Sequence, residues 1–266
     1  MWAVRKDLQA LRSRWIISSY GTTHGAAEPI PSVVGAIVNR ALRARIEEHW
    51  ADRLGCAPRF LREPGVHFAP AVHPGSLYIV GVDRSTVVCA DESWKAPLLA
   101  LRPAERLVDR VALASALEEG TRIVGPAFIG YAERLDAVLP GPERLPGAGD
   151  AALAALRAAS PPEEWEHAGL EEHEEPLFAA MHEGVAVAAA GFVRVLEEVA
   201  HIGVLCHPAH RNRGLGRQVV AAAAHRALAL GLLAQYQTLW SNAGAIGIAQ
   251  ALGFEHFATT MSARHT

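Results

Sequence analysis

The sequence is poor in cysteine and has no long apolar run. Three of its 266 residues are cysteines, Cys56, Cys89 and Cys206, and they are widely spaced. This spacing suggests neither a disulfide framework nor a zinc site, and a reducing cytoplasm is the simplest expectation. The longest apolar runs, such as residues 219–224, are far shorter than the roughly 20 residues that a membrane span needs. We therefore expect a cytoplasmic protein with no metal site and no membrane contact.

An excess of positive charge is also absent. The chain has 25 Lys and Arg residues against 28 Asp and Glu, a formal net charge of −3. A general nucleic-acid binder usually carries a basic domain, so no nucleic-acid partner is expected. The first 15 residues interrupt their apolar positions with basic ones, which is unlike the continuous apolar segment of a secretory signal.

The chain does contain enough apolar residues for one large core or two modest ones, since 50% of it is hydrophobic. Residues 21–32 are rich in turn formers and predict a loop or a poorly ordered segment. Residues 33–54 have apolar positions at helical spacing and predict a helix that ends at Gly55. The pattern then predicts a hairpin at 76–82 and 85–90, helical segments near 94–101 and 104–119, and a strand at 126–132.

A segment dense in Pro and Gly at 139–150 divides the chain into two predicted parts. Residues 1–140 are predicted to form an N-terminal α/β region, of which 1–32 can be poorly ordered. Residues 141–266 are predicted to form a second domain, in which Asp150 is a good helix N-cap. In this domain the pattern predicts two strands joined by a tight turn at 182–184. It then predicts, in order, a strand at 199–206, a helix at 215–230, a strand at 236–241, a helix at 243–252 and a strand at 254–263. A strand–helix–strand order with a short crossover implies parallel neighbours.

The loop "HPAHRNRGLGRQVV" at 207–220 places positive charge and glycines at the start of a helix. Gly214 and Gly216 lack a Cβ, so a ligand can approach their amides, and the helix N-terminus favours an anion. Arg211, Arg213 and Arg217 can pair with phosphate oxygens. The alternative is an ordinary connection with glycines for packing and arginines for solubility. The dinucleotide fingerprint and the Walker loop are both excluded, because the third glycine and the Lys-Ser/Thr pair are absent.

Two motifs in this order resemble a known family. "VLCHPAHRNRGLG" resembles the V-x-P-x-x-R-x-x-G-x-G/A signature of the GNAT superfamily of N-acetyltransferases. "WSNAGAIGIAQALGFE" resembles its second signature, an Asn that opens a short helix ending in Leu-Gly-Phe. The resemblance covers about residues 150–266 and looks closest to the FR47-like branch. It implies a mixed, largely antiparallel sheet with a splayed parallel strand pair and flanking helices, to which the N-terminal region adds an α/β extension.

The resemblance implies that acetyl-CoA is the co-substrate and lies between the splayed strands. By matching position, the backbone of Val204, Leu205 and Cys206 would face the pantetheine arm and the thioester, and a backbone N–H there would polarise the thioester carbonyl during direct attack by an amine. Asn242 would contact the pantetheine or only cap its helix. The diphosphate would be wrapped by Arg211, Asn212, Arg213, Gly214, Leu215, Gly216 and Arg217.

The sequence departs from the family at both catalytic positions. Many members carry a Tyr as the thiolate acid where Ala249 stands, so Ser241 or water is the expected acid. A glutamate base would fall near Ala200, and Glu198, two residues earlier and on the same strand face, is the preferred candidate. His201, on the other face, is the second candidate, and water chains are a further alternative.

Two functions therefore remain open from the sequence. The first is an N-acetyltransferase that acts on a small-molecule or protein amine, and the second is a non-catalytic acyl-CoA-binding regulatory module, which the alanines at 200 and 249 favour. The acidic stretch at 163–175 can attract a cationic amine. Its histidines, His167 and His173, are poor evidence for a metal site, because neighbouring acids usually form a solvated face. A homodimer, and an N-terminal region that is a degenerate copy of the same fold, are open alternatives.

Overall fold

A single ten-stranded sheet organises the chain in the computed structural model. The structure describes residues 40–101, 103–135, 139, 141–195 and 197–265. The predicted loop at 21–32 and the first part of the helix predicted from residue 33 lie outside these residues. The strand order is β1-β3-β2-β10-β4-β9-β8-β7-β6-β5. The strands are β1 Gly65–Ala69, β2 Ser76–Val82, β3 Ser85–Ala90, β4 Arg122–Ala132, β5 Glu143–Leu145, β6 Leu177–His182, β7 Val185–Arg194, β8 Val199–Cys206, β9 Leu233–Leu239 and β10 Glu255–Arg264.

The sheet is mixed and mostly antiparallel, as the sequence predicted. Only β1 with β3 and β8 with β9 run parallel, while the other seven neighbouring pairs are antiparallel. The parallel pair β8 and β9 is joined by one crossover helix, which is the connection that parallel neighbours require.

Helices cover both faces of the sheet. On one face, α6 and α7 pack on the C-terminal strands around Val219, Val220 and Tyr236. On the other face, α1 packs on the central strands through Ile46 and Trp50. The helices are α1 Arg40–Leu54, α2 Glu92–Ala100, α3 Arg110–Ala116, α4 Ala154–Ala159, α5 Pro162–Ala168, α6 Leu215–Ala229 and α7 Ala243–Ala251, with 3₁₀ turns at Pro58–Leu61, Ala104–Val108, Ala151–Leu153, Leu170–Glu172 and Pro208–His210. None of the described helices combines the length and apolar character needed to span a bilayer.

The strands of the two predicted regions pair directly with one another. β10 lies between β2 and β4, so the last strand in chain order is bonded on both sides to strands that precede residue 140. The short strand β5 lies inside the Pro- and Gly-rich segment at 139–150. The division into regions 1–140 and 141–266 stays a prediction, but the two do not form separate sheets in the described residues.

Most predicted elements are present, with two informative differences. The predicted helix at 104–119 is a 3₁₀ turn followed by α3, because Asp109 begins a new helix by accepting a hydrogen bond from the Ala112 amide at 2.7 Å. The strand predicted from residue 236 begins at Leu233, directly after the glycine turn that ends α6. Strands β1 and β5 were not predicted, since neither has an alternating pattern long enough to be recognised.

Candidate functional site

The sheet opens between β8 and β9. Their parallel pairing runs from Val199 and Leu233 to Ile202 and Tyr236 and then stops. Beyond this point β8 stays paired with β7 as far as Cys206, and β9 stays paired with β4 as far as Leu239. The two strand ends therefore diverge and form a wedge, which confirms the predicted splayed pair. We call the last paired rungs, at residues 201–202 and 235–236, the apex of the wedge.

The wedge is part of a cavity of about 1010 Å³. The β8 wall includes the predicted residues Val204, Leu205 and Cys206, and the α7 wall includes Ser241 and Asn242. On the face covered by α1, polar side chains from several strands also line the cavity. These are Tyr78, His201, Gln237, Thr260 and Ser262.

The glycine loop meets the cavity at the N-terminus of α6. Gly214 precedes the helix with a φ of +79°, a left-handed conformation that favours glycine, and no side chain caps the helix. The amides of the first helical turn have no intrahelical acceptors, so they are available to an anion. Close packing explains why residue 216 is a glycine, because a Cβ there would lie 2.9 Å from Cys206 Sγ and 3.0 Å from Ile248 Cδ1. The packing alternative is thus correct for Gly216 and does not exclude an anion site.

The three arginines of the loop are exposed but do not share one environment. Arg211 and Arg217 line the cavity together with Asn212, Gly214, Leu215 and Gly216, whereas Arg213 is not among the lining residues. Arg211 donates to the Cys206 carbonyl at 3.3 Å and pairs with the Glu164 carboxylate of α5 at 2.5 Å. The ion pair joins α5 to the loop, and both of its residues line the cavity.

The thiol of Cys206 is protonated at neutral pH. Burial raises its pKa to about 11, against the lowering effect of the nearby Arg211 guanidinium. A protonated thiol is a weak nucleophile, so this raised pKa gives no support to a reaction in which Cys206 carries the acyl group.

The second motif provides the wall opposite β8. The Asn242 side chain accepts a hydrogen bond from the Ala245 amide at 3.1 Å, which is the predicted helix cap. Ala249, where many relatives carry a tyrosine, is fully buried in the core and does not line the cavity. Ser241 is exposed and lines the cavity, and its role as the acid stays a prediction.

Glu198 does not lie with the other predicted residues. It is in the turn before β8, is not among the cavity-lining residues, and accepts two hydrogen bonds from Arg45 of α1 at 3.0 and 2.8 Å. Six residues separate it from Val204, which is about 20 Å along an extended strand. None of the contacts of Glu198 described here supports its predicted role as the base.

His201 is placed differently. It is 7% exposed, lines the cavity, and its Nδ1 lies 3.0 Å from Gln235 Oε1. Gln235 Nε2 donates to the Tyr131 hydroxyl at 2.6 Å, and Trp50 Nε1 donates to the same hydroxyl at 2.8 Å. This hydrogen-bonded chain connects α1 with the apex of the wedge.

A pair of facing glycines beside the wedge was not recognised in the sequence. Gly191 and Gly203 are cross-strand partners, and the His173 ring packs against both. A Cβ on Gly203 would lie 2.1 Å from the Ala168 carbonyl at the end of α5. The two glycines thus let α5 and His173 rest directly on the strand backbone, a tertiary requirement with no local sequence signal. No group of described residues is arranged to hold a metal ion, His173 included.

Part of the chain matches a known family model. The model of the acetyltransferase (GNAT) family matches residues 150–254, less than half of the 266 residues. These residues are therefore similar to the acetyltransferase (GNAT) family. A comparison with curated proteins found no match. The FR47-like branch is not confirmed and stays a prediction.

Similar solved structures are also GNAT proteins. An acetyltransferase from the GNAT family of Colwellia psychrerythraea is 20% identical, with a TM-score of 0.43, over 55% of this chain and 57% of that chain. A GCN5-related N-acetyltransferase from Kribbella flavida is 24% identical, with a TM-score of 0.42, over 58% of this chain and 62% of that chain. This chain therefore spans less than two thirds of the length of either relative.

Proposed function

We propose that the chain is an acetyl-CoA-dependent N-acetyltransferase that moves an acetyl group to a primary amine by direct attack. The observation that carries the proposal is the opening between β8 and β9, with the uncapped N-terminus of α6 at its mouth. The similarity of residues 150–254 to the acetyltransferase (GNAT) family supports the same function.

The residues present fit acetyl-CoA. A diphosphate needs amide donors and cations, and the first turn of α6 with Arg211 and Arg217 provides both. The pantetheine arm needs an extended groove with unpaired backbone groups, and β8 offers these on the side that has left β9. Bound acetyl-CoA supplies the activated acetyl group as a thioester.

The chain's own residues orient the reaction and polarise the carbonyl. Backbone N–H groups of β8 beyond Ile202 point into the wedge without a β9 partner, so a rigid donor there can stabilise negative charge on the carbonyl oxygen. Ser241 or water returns a proton to the leaving thiolate. The acceptor amine enters from the polar side lined by Tyr78, Thr260 and Ser262.

A calorimetric titration with acetyl-CoA tests the proposal. Arg217→Ala removes a cation beside the α6 amides and is expected to weaken binding about tenfold, or about 1.4 kcal/mol. Arg213→Ala is the matched control from the same loop, and because Arg213 does not line the cavity, it should change the affinity less than threefold. Absence of binding to the wild-type protein would contradict the proposal.

The second candidate is a non-catalytic acyl-CoA-binding module in a cytoplasmic protein. It is favoured by one observation, that the two positions carried over from the family for acid and base, Ala249 and Ala200, are fully buried alanines. It shares acetyl-CoA binding with the first candidate and differs in turnover, so protein-dependent release of the CoA thiol distinguishes the two. For the enzyme, the proposed partners are a small-molecule or protein amine as acceptor and a second copy of the chain in a homodimer.

A further inference from the structure

A row of neutral polar side chains lines one side of the cavity. Gln237 of β9 is opposite Ile129, and Ser262 of β10 is opposite Tyr78, and both of these partners pack in the core beneath α1. Cross-strand partners point to the same face of a sheet, so Gln237 and Ser262 also point to the α1 face. Thr260, two residues before Ser262, shares that face. We call Tyr78, Gln237, Thr260 and Ser262 the polar floor, and all four line the cavity.

The polar floor begins where the wedge opens. Gln237 is the first residue of β9 beyond its last rung with β8, which is at Tyr236. Strands β9, β4, β10 and β2 are consecutive neighbours, so the floor runs from the wedge across this part of the sheet. Its far end is buried, since Tyr78 and Thr260 are each 3% exposed, and the Tyr78 ring stacks on Trp50 of α1. A recessed floor of this kind suits a small molecule rather than a protein chain.

The side chains of the polar floor form hydrogen bonds but carry no charge. Their three hydroxyl groups and the Gln237 amide can each donate and accept. The hydroxyl groups of Tyr78 and Thr260 are hydrogen-bonded to each other. Alcohol groups of a ligand also donate and accept, so they are the chemical groups that match this surface.

The charges of the cavity are carried by other elements. Among the described residues that line the cavity, the only arginines are Arg211 and Arg217, both at the start of α6, and none is a lysine. Helix α5 contributes the carboxylates of Glu163 and Glu164, of which the second is paired with Arg211. An acceptor with a carboxylate or phosphate group would find no cation on the polar floor and would be repelled by Glu163.

We propose that the acceptor is a small hydroxylated amine, of the amino-alcohol or amino-sugar class, without a carboxylate or phosphate group, and that Gln237 and Ser262 determine this specificity. The proposal rests on the proposed function. The amine nitrogen bonds to the carbonyl carbon of the thioester, and the carbon–sulfur bond breaks with its electron pair on sulfur. The amine proton passes to water, and a proton from solvent neutralises the thiolate. The products are a hydroxylated amide and the CoA thiol.

Thiol release from acetyl-CoA with matched probe amines tests the acceptor class. Glucosamine and glucosamine 6-phosphate carry the same amine and differ by a distant phosphate, while cyclohexylamine is an amine on a six-membered ring without hydroxyl groups. We expect a kcat/KM for glucosamine about tenfold above that for either of the other two. A lysine-containing peptide, the probe for a protein amine, should react no faster than cyclohexylamine.

Two variants test the residues of the polar floor. Gln237→Lys places a cation there and should raise the ratio of kcat/KM for glucosamine 6-phosphate to that for glucosamine about tenfold. Ser262→Ala removes a hydroxyl group and should lower the ratio of kcat/KM for glucosamine to that for cyclohexylamine about three- to tenfold. Because each ratio is compared with that of the wild type, the intrinsic reactivity of the amines cancels.

Gln250→Lys is the matched control for Gln237→Lys. Gln250 is exposed on α7 and is not among the cavity-lining residues, so its variant should keep the wild-type ratio. Calorimetric titration with acetyl-CoA accompanies every variant, and an unchanged affinity verifies that the cofactor site is intact.

The outcomes separate the two proposals. Wild-type protein that does not bind acetyl-CoA overturns the proposed function. Protein that releases thiol fastest with glucosamine 6-phosphate, cyclohexylamine or the peptide overturns the acceptor class and leaves the N-acetyltransferase. Protein that binds acetyl-CoA but releases thiol with none of the probes also overturns the acceptor class and leaves the binding module. Equal ratios in Gln237→Lys and Gln250→Lys, or a wild-type ratio in Ser262→Ala, overturn the assignment of the specificity residues.

Discussion

At the residue scale, Gly216 joins three elements that form the cavity. Its Cα lies where α6, the end of β8 and α7 meet, and an added methyl group has no room beside Cys206 and Ile248. Gly216→Ala should therefore lower the free energy of unfolding by about 1–3 kcal/mol through overpacking. Urea denaturation measures this.

Gly247→Ala is the matched control. Gly247 is inside α7 and a Cβ there meets nothing within 4 Å, so alanine should be neutral or stabilising by up to about 1 kcal/mol. Equal stability of the two variants would show that the close approach at Gly216 is not a packing constraint.

His173 gives a second prediction at this scale, a dependence of stability on pH. Burial lowers its pKa to about 3, and neither ring nitrogen has a hydrogen-bond partner among the described residues. As the pH falls below about 6.5, the unfolded chain takes up a proton that the folded chain refuses. The free energy of unfolding should thus be undiminished above pH 6.5 and fall between pH 6.5 and 3, by about 1.4 kcal/mol per pH unit for one such group.

His173→Gln should remove the contribution of one proton from the dependence of the unfolding free energy on pH. This holds whatever the effect of the substitution on stability at pH 7. The exposed His182, the last residue of β6, provides the control variant His182→Gln. Urea midpoints at several pH values provide the measurement. An identical slope in wild type and His173→Gln would mean that His173 titrates alike in the folded and unfolded chain.

At the scale of elements, α5 and the glycine loop are linked by Glu164 and Arg211, which both line the cavity. The pair is partly exposed, with 37% and 42% of the side chains accessible, so it is worth at most about 1 kcal/mol. Because the carboxylate competes with a diphosphate for Arg211, Glu164→Gln should tighten acetyl-CoA binding about two- to fivefold. The gain should shrink at high salt.

The neighbouring Glu163→Gln removes the same charge on the same helix without touching the ion pair, and should change the affinity less. Calorimetric titration with acetyl-CoA at two salt concentrations compares the affinities of the two variants. Weaker binding by Glu164→Gln would instead mean that the ion pair holds Arg211 in place for the ligand.

The order of elements around the cavity could be predicted from the sequence because each has a local signal. Gly184, Gly231 and Asn242 mark turns and caps that the structure places where the pattern predicted them. The placement of the two candidate bases had no such signal. Glu198 lies in the turn before β8 and contacts Arg45, whereas His201 lies within β8 and lines the cavity, and only the tertiary structure shows this difference.

At the scale of the whole molecule, the sheet makes the C-terminal strands depend on those before residue 140. β10 bonds to β2 and β4, and the second neighbour of β9 is also β4. A fragment of residues 141–266 leaves β10 without a strand partner, so we expect no cooperative thermal unfolding of that fragment by circular dichroism.

A fragment of residues 122–266 restores β4 and is the matched control. It should recover part of the sheet signal, because β4 bonds to both β9 and β10. Cooperative unfolding of residues 141–266 alone would support the predicted boundary at 139–150. The sequence could not reveal this dependence, because the apolar pattern of β4 is the same whether its partners lie near or far along the chain.

The central position of β10 also has a consequence for synthesis. The other strands that the structure describes leave the ribosome before residues 255–264 do, so the nascent chain carries β2 and β4 with open edges until β10 arrives between them. Exposed edges of this kind invite pairing with other chains. Translation that stalls or stops shortly before residue 255 should therefore yield aggregates rather than a shortened but ordered protein.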